Sequence, residues 1–124
     1  MAKTRKAKKS WGHHLIIDAA GCDATAIRSK PTIKAFIKEL VPSIDMVAYG
    51  APRIVKFGTG NKKGYTLVQL IETSDITTHF VEETNEAYFD VFSCKSFRPS
   101  IAIDIIKKYF KPTKLKTHFI KRQA

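Results

Sequence analysis

Chemistry-bearing side chains gather in three places along this chain. His13, His14, His79 and His118, with Cys22 and Cys94, carry the donor atoms of a metal site. No two of them stand at the i, i+4 or short-loop spacing that pre-organises ligands, so no metal is expected. Gly58-Thr59-Gly60-Asn61-Lys62-Lys63-Gly64 has the glycines and lysines of a phosphate cradle. Its lysines precede the last glycine, however, and a strand-like run follows where a phosphate loop needs a helix, so it reads as a hairpin loop. The third place is Gln69-Leu70-Ile71-Glu72-Thr73-Ser74-Asp75-Ile76-Thr77-Thr78-His79-Phe80, followed by Ala87-Tyr88-Phe89-Asp90-Val91-Phe92-Ser93-Cys94. It sets an imidazole five residues after a hydroxyl and a thiol twenty after it. Singly, these read as a turn serine, a hydrogen-bonded strand histidine and a buried apolar thiol.

The surrounding pattern supplies elements to hold them. His13 to Ala19 is a compact β run closed by Gly21. Ser29-Lys30-Pro31 places a capping hydroxyl before a first turn that tolerates proline. Ile33, Phe36, Ile37 and Leu40 then recur at helical spacing until Pro42, which is expected to end the helix. Asp45 to Tyr49 and Arg53 to Phe57 read as strands around Gly50-Ala51-Pro52. Tyr65 to Glu72, Ile76 to Val81 and Ala87 to Cys94 are β-branched and aromatic at strand length. A second helix spans Pro99 to Phe110, with Ile101, Ile105, Ile106 and Tyr109 on one face, and Leu115 to Ile120 alternates as a last strand. Two helices among strands joined by short turns predict an α/β two-layer sandwich, a largely antiparallel sheet with both helices on one face.

At 124 residues, 44% hydrophobic and 27% charged, the chain fits one globular domain, and collagen-like or disordered classes are excluded. No apolar run approaches the ~18 residues of a membrane span, and no apolar segment follows the basic N-terminus as a signal peptide requires, so a cytoplasmic protein with reduced thiols is expected. The net charge of +11 sits at the ends. Residues 1–9 and 107–124 hold twelve bases and no acid, whereas 10–106 holds ten bases and all eleven acids. This layout predicts basic tails at 1–11 and 121–124 around a domain at 12–120, with at most weak, salt-sensitive nucleic-acid contact.

The intervals from Ser74 to His79 and Cys94, with the opening Gly12-His13-His14-Leu15-Ile16-Ile17-Asp18 and Cys22-Asp23, resemble the small bacterial and archaeal S-adenosylmethionine decarboxylases. The resemblance covers roughly residues 12–110. It implies a self-processing enzyme that converts S-adenosylmethionine to the aminopropyl donor of spermidine biosynthesis. Removing carbon dioxide from an amino acid leaves a carbanion that no side chain delocalises, so an electron sink is needed. The family makes one from its own backbone, a pyruvoyl group, without pyridoxal phosphate or metal. By this resemblance Ser74 is the pyruvoyl precursor that forms a Schiff base with substrate, the chain is cut between 73 and 74, His79 is the processing base and Cys94 the proton donor. A thiol suits the last task because it keeps its proton near neutral pH yet transfers it.

Around this constellation the chain departs from the family. Thr73 and Asp75 stand where glutamate and histidine are usual, and Thr73 is itself a β-hydroxy residue beside the expected cut. Thr66, eight residues before Ser74, matches a hydroxyl that assists processing, and Glu83 falls where an acid follows the histidine strand and faces the substrate's cation. Phe57 and Tyr65 are the aromatic candidates for stacking on adenine. The resemblance further implies a homodimer of processed protomers with active sites near the interface. Two other readings keep the fold: the same mechanism on ornithine or arginine, and an unprocessed, non-enzymatic homologue acting as a partner subunit or polyanion binder.

Overall fold

Period-two alternation of buried and less buried side chains runs through the four central strands and sets the two layers. The computed structural model describes residues 10–124; the basic segment 1–9 lies outside them. The strands are β1 (Gly12–Ala20), β2 (Arg53–Phe57), β3 (Gly64–Ile71), β4 (Ser74–Val81), β5 (Glu86–Ser93) and β6 (Lys114–Arg122), and the helices are α1 (Ala24–Ile27), α2 (Lys30–Ser43) and α3 (Pro99–Phe110). One sheet runs in the order β2-β3-β4-β5-β1-β6 with every neighbouring pair antiparallel. Leu15, Ile17, Leu67, Ile76, Phe80, Phe89 and Val91 face the helices and are buried. No helix among the described residues is long and apolar enough to cross a membrane.

Most expected elements are present within a residue or two, and the exceptions have local causes. Ser29 caps α2 as expected, its Oγ accepting from the Thr32 N–H at 3.2 Å. The helix nevertheless passes through Pro42 to Ser43. A proline in the last turn forfeits only one ladder bond, and burial of Leu40, Val41 and Ile44 holds that turn on the core. Asp45 to Tyr49 is not a strand. Asp45, at φ +62°, turns the chain out of α2, and what remains is one bridge, Ala48 to Ile71. The one-turn helix α1, capped by Asp23, is too short to show a periodic face in the sequence. At the other end β6 continues past Ile120 and takes Lys121 and Arg122 into its ladder with β1.

Phe36 of α2 joins the layers. Its ring meets Phe89 of the sheet at 5.7 Å and Phe110 of α3 at 4.9 Å, both edge-on. A second fastening lies at the β4–β5 turn, where the nearly buried Glu82 carboxylate sits 2.7 Å from the Lys56 ammonium of β2 and 4.0 Å from Arg28 beyond α1. Lys56 holds the carboxyl below its ordinary range, against the opposing pull of burial. Phe36→Ala should cost about 3–5 kcal/mol in urea unfolding, and a loss below about 1.5 kcal/mol would refute its role as the joint. Because the folded Glu82 is more acidic than the unfolded one, its contribution is present above the unfolded pKa and vanishes as pH falls through the folded value. Glu82→Gln should therefore be less stable than wild type at neutral pH, with the difference shrinking in acid titrations below about pH 4.5.

Candidate active site

Strands β3 and β4 are joined by a two-residue turn, Glu72-Thr73, with Ile71 opposite Ser74. Such hairpins ordinarily need glycine or asparagine at positive φ in the turn. Neither residue here is of that kind, and the unusual angle falls on Ser74, at φ +150°. An L side chain held there stores on the order of 1–3 kcal/mol. The end of β5 reaches back to the same peptide, the Cys94 N–H donating to the Thr73 carbonyl oxygen at 2.9 Å. One residue earlier, the buried Ser93 hydroxyl lies 2.7 Å from the Thr73 hydroxyl, with Met46 Sδ beside both.

The two thiols have opposite settings. Cys22 is buried, and its pKa is pushed up to about 11, first by burial and then by Glu86, which leaves it unreactive. Cys94 is exposed beside the Thr73–Ser74 peptide. Thus Ser74, Thr73 and Cys94 are brought together.

A second group lies elsewhere on the sheet. Thr66 and His79 are cross-strand partners on the face the helices leave bare, with Thr66 Oγ1 3.2 Å from His79 Nδ1. They line a cavity of about 600 Å³ with Phe57, Tyr88 and Glu86. Gly64 borders it at φ +156°, where a Cβ would fall 1.8 Å from the Phe80 carbonyl oxygen, so only glycine lets β3 lie this close to β4. Of the two aromatic candidates, Phe57 lines this cavity, whereas Tyr65 packs against the core beneath the Lys56 ammonium. Glu83 is exposed on the β4–β5 turn outside the cavity. The carboxylate inside it is Glu86, which accepts from the Thr84 and Tyr88 hydroxyls at 2.8 and 3.0 Å.

One chain does not bring these groups to each other. Five residues along a strand separate Ser74 from His79 by about 17 Å. Near the Ser74 end the bare face carries Trp11, Phe92 and Arg122 around a further cavity of about 440 Å³. Among the described residues, no three His, Cys, Asp or Glu side chains gather as metal ligands. Glu86, Ser93 and the Cys94 amide escaped sequence reasoning. Only the β4–β5 register, Ser74 opposite Ser93, exposes the last two, and it needs the hairpins to be aligned first.

Comparison with known proteins bears on the family and the fold. The family model described as S-adenosylmethionine decarboxylase matches residues 13–123. A Methanococcus maripaludis protein named S-adenosylmethionine decarboxylase proenzyme is 34% identical over 116 residues, covering 92% of this chain and 91% of its own. A Pyrococcus horikoshii protein of the same name is 31% identical over 112 residues, covering 90% and 78%. The crystal structure of the adenosylmethionine decarboxylase from Aquifex aeolicus superposes with a TM-score of 0.80 at 25% identity over 94% of both chains. With sequence and fold matched over nearly its whole length, the chain belongs to the S-adenosylmethionine decarboxylase family.

Proposed function

We propose that this protein cuts itself between Thr73 and Ser74 and then decarboxylates S-adenosylmethionine, yielding an aminopropyl donor for spermidine synthesis. The observation that carries the reading is the Thr73 carbonyl held on the Cys94 N–H beside a strained Ser74. Ser74 Oγ adds to the Thr73 carbonyl carbon, and negative charge develops on the oxygen at which that N–H already points. The C–N bond breaks and leaves an ester with a free amine on Ser74. Loss of the Ser74 Hα and cleavage of the Cβ–O bond release residues 1–73 as a carboxylate. One water then enters and one ammonia leaves, so that residue 74 becomes pyruvoyl. The residues fit such a group, because Ser74 begins β4 at the peptide held by the backbone of the exposed Cys94. The pyruvoyl carbonyl supplies the electron sink for loss of carbon dioxide. Cys94 holds the proton that returns to the substrate carbon. In the His79 cavity, Phe57 stacks on the purine and Glu86, rather than Glu83, faces the positive charge of the substrate.

The Ser74–His79 separation favours a site completed by a second copy. Val55, Phe57, Val68, Leu70, Tyr88 and Ile120 lie exposed on the bare face, more apolar surface than a lone sheet comfortably leaves in water. If two copies stack there about a two-fold axis lying between the faces and running across the strands, the Ser74 end of each β4 meets the His79 end of the other. His79 and Thr66 of one protomer then serve the Ser74 peptide of its partner.

Purified protein should separate into fragments 1–73 and 74–124, the second reacting with phenylhydrazine, while Ser74→Ala stays a single 14.0 kDa chain by intact mass. Ser74→Ala and His79→Ala chains, inert alone, should restore cutting of the His79→Ala chain when co-expressed, whereas action within one chain predicts no cut in the mixture. Cys94→Ala keeps the N–H and should mature, yet lose roughly 10²–10⁴-fold in turnover measured as released carbon dioxide.

A further inference from the structure

Two β-hydroxy residues stand side by side at the turn, and either hydroxyl could attack the peptide before it. Attack by Thr73 on the Glu72 carbonyl, followed by the same elimination and hydrolysis, releases residues 1–72 as a carboxylate and one ammonia, and leaves an α-ketobutyroyl group at position 73. The structure treats the two hydroxyls differently. Ser93 Oγ is fully buried and accepts from the Lys95 N–H at 3.0 Å, which leaves it one lone pair and its own proton. Thr73 Oγ1 lies 2.7 Å away, and Met46 Sδ, 3.3 Å from Thr73 and 3.5 Å from Ser93, takes whichever proton the pair does not share. Buried hydroxyls satisfied on every side give up such bonds at a cost. The next residue, Cys94, grips the carbonyl of the same Thr73.

We infer that Ser93 is a positioning residue for self-cleavage. By engaging the Thr73 hydroxyl it withdraws the rival nucleophile and fixes the Thr73 carbonyl on the Cys94 N–H, so that Ser74 alone reacts. This inference rests on the proposed cut at 73–74 and adds what selects that bond. Cysteine chemistry and substrate contacts play no part in it, because the Ser93 side chain faces the helix layer and the Cys94 thiol is exposed.

The test is pulse-labelled cell-free synthesis followed by a chase, with fragment masses read over time and folding checked by circular dichroism. Ser93→Ala should slow cutting tenfold or more, and Ser93→Thr, which returns the hydroxyl, should recover most of the rate. A new fragment 73–124 blocked by α-ketobutyroyl in Ser93→Ala also supports the inference. Cutting of Ser93→Ala at the wild-type rate and only at 73–74 overturns it. If Ser93→Ala fails to fold, Thr73→Val removes the same hydrogen bond from its less buried end: slow cutting upholds the inference and wild-type cutting overturns it. Failure of the underlying reading looks different, since wild-type chain would then remain whole.

Discussion

A β-strand sends successive side chains to opposite faces, and among the described residues this sheet has helices on only one of them. Nearly everything else follows from that pairing of facts. Residues pointing inward on β1, β3, β4 and β5 build the core with α2 and α3, while the alternate set remains on a bare surface that holds the Thr66–His79 pair and its cavity. The hairpin turn at Glu72-Thr73 is where the alternation breaks, because Ser74 enters β4 at φ +150°. The Thr73–Ser74 turn and the Thr66–His79 pair are therefore both placed by strand register on one sheet.

The same constraint decides how much could be read beforehand. Strong periodic signals were legible: α3 runs over Pro99–Phe110, and β4, which carries Ser74 and His79, and β5, which ends one residue before Cys94, lie within two residues of their expected bounds. The intervals between those three residues sufficed for the family, which the comparisons show. Asp45 to Tyr49 misled because its composition suits a strand, whereas strand formation needs a partner, and β2 already pairs β3 from Gly64 to Val68. The carboxylate that lines the cavity was not legible for a similar reason. The β4–β5 turn of Glu82 to Asn85 leaves Glu83 exposed and sets Glu86 on the bare face beside the cavity, and turn geometry is not written in spacing. Ser93 was invisible as anything but a small core residue, since the hydroxyl it meets, that of Thr73, stands twenty residues away in the β3–β4 turn.

The charge distribution also has a structural reading. The bases of the C-terminal segment are divided between α3, its C-cap Lys111, and β6, and Lys121 and Arg122 belong to the sheet. Arg122 lies over the Phe92 ring at 5.1 Å and contacts His14 Nδ1 at 3.2 Å, while His14 Nε2 meets Asp90 at 2.9 Å. Here positive charge is built into the edge of the bare face, with aromatic and acidic neighbours to receive it. A long edge strand bearing lysines is also guarded against pairing with stray strands.

The strand order bears on what becomes of the molecule after a break at the β3–β4 turn. The first piece would own β1, β2 and β3, and the second β4, β5 and β6, yet β1 lies between β5 and β6 while β3 abuts β4. The pieces are interleaved like the fingers of two hands, and neither can leave without dismantling the shared sheet. Once parted by denaturation, they would have to find one another again in a concentration-dependent encounter where the intact chain needed none. Breakage at that turn would thus turn a molecule able to refold alone into one whose native state is inherited from its first folding, and a cell would replace it by new synthesis instead of repair.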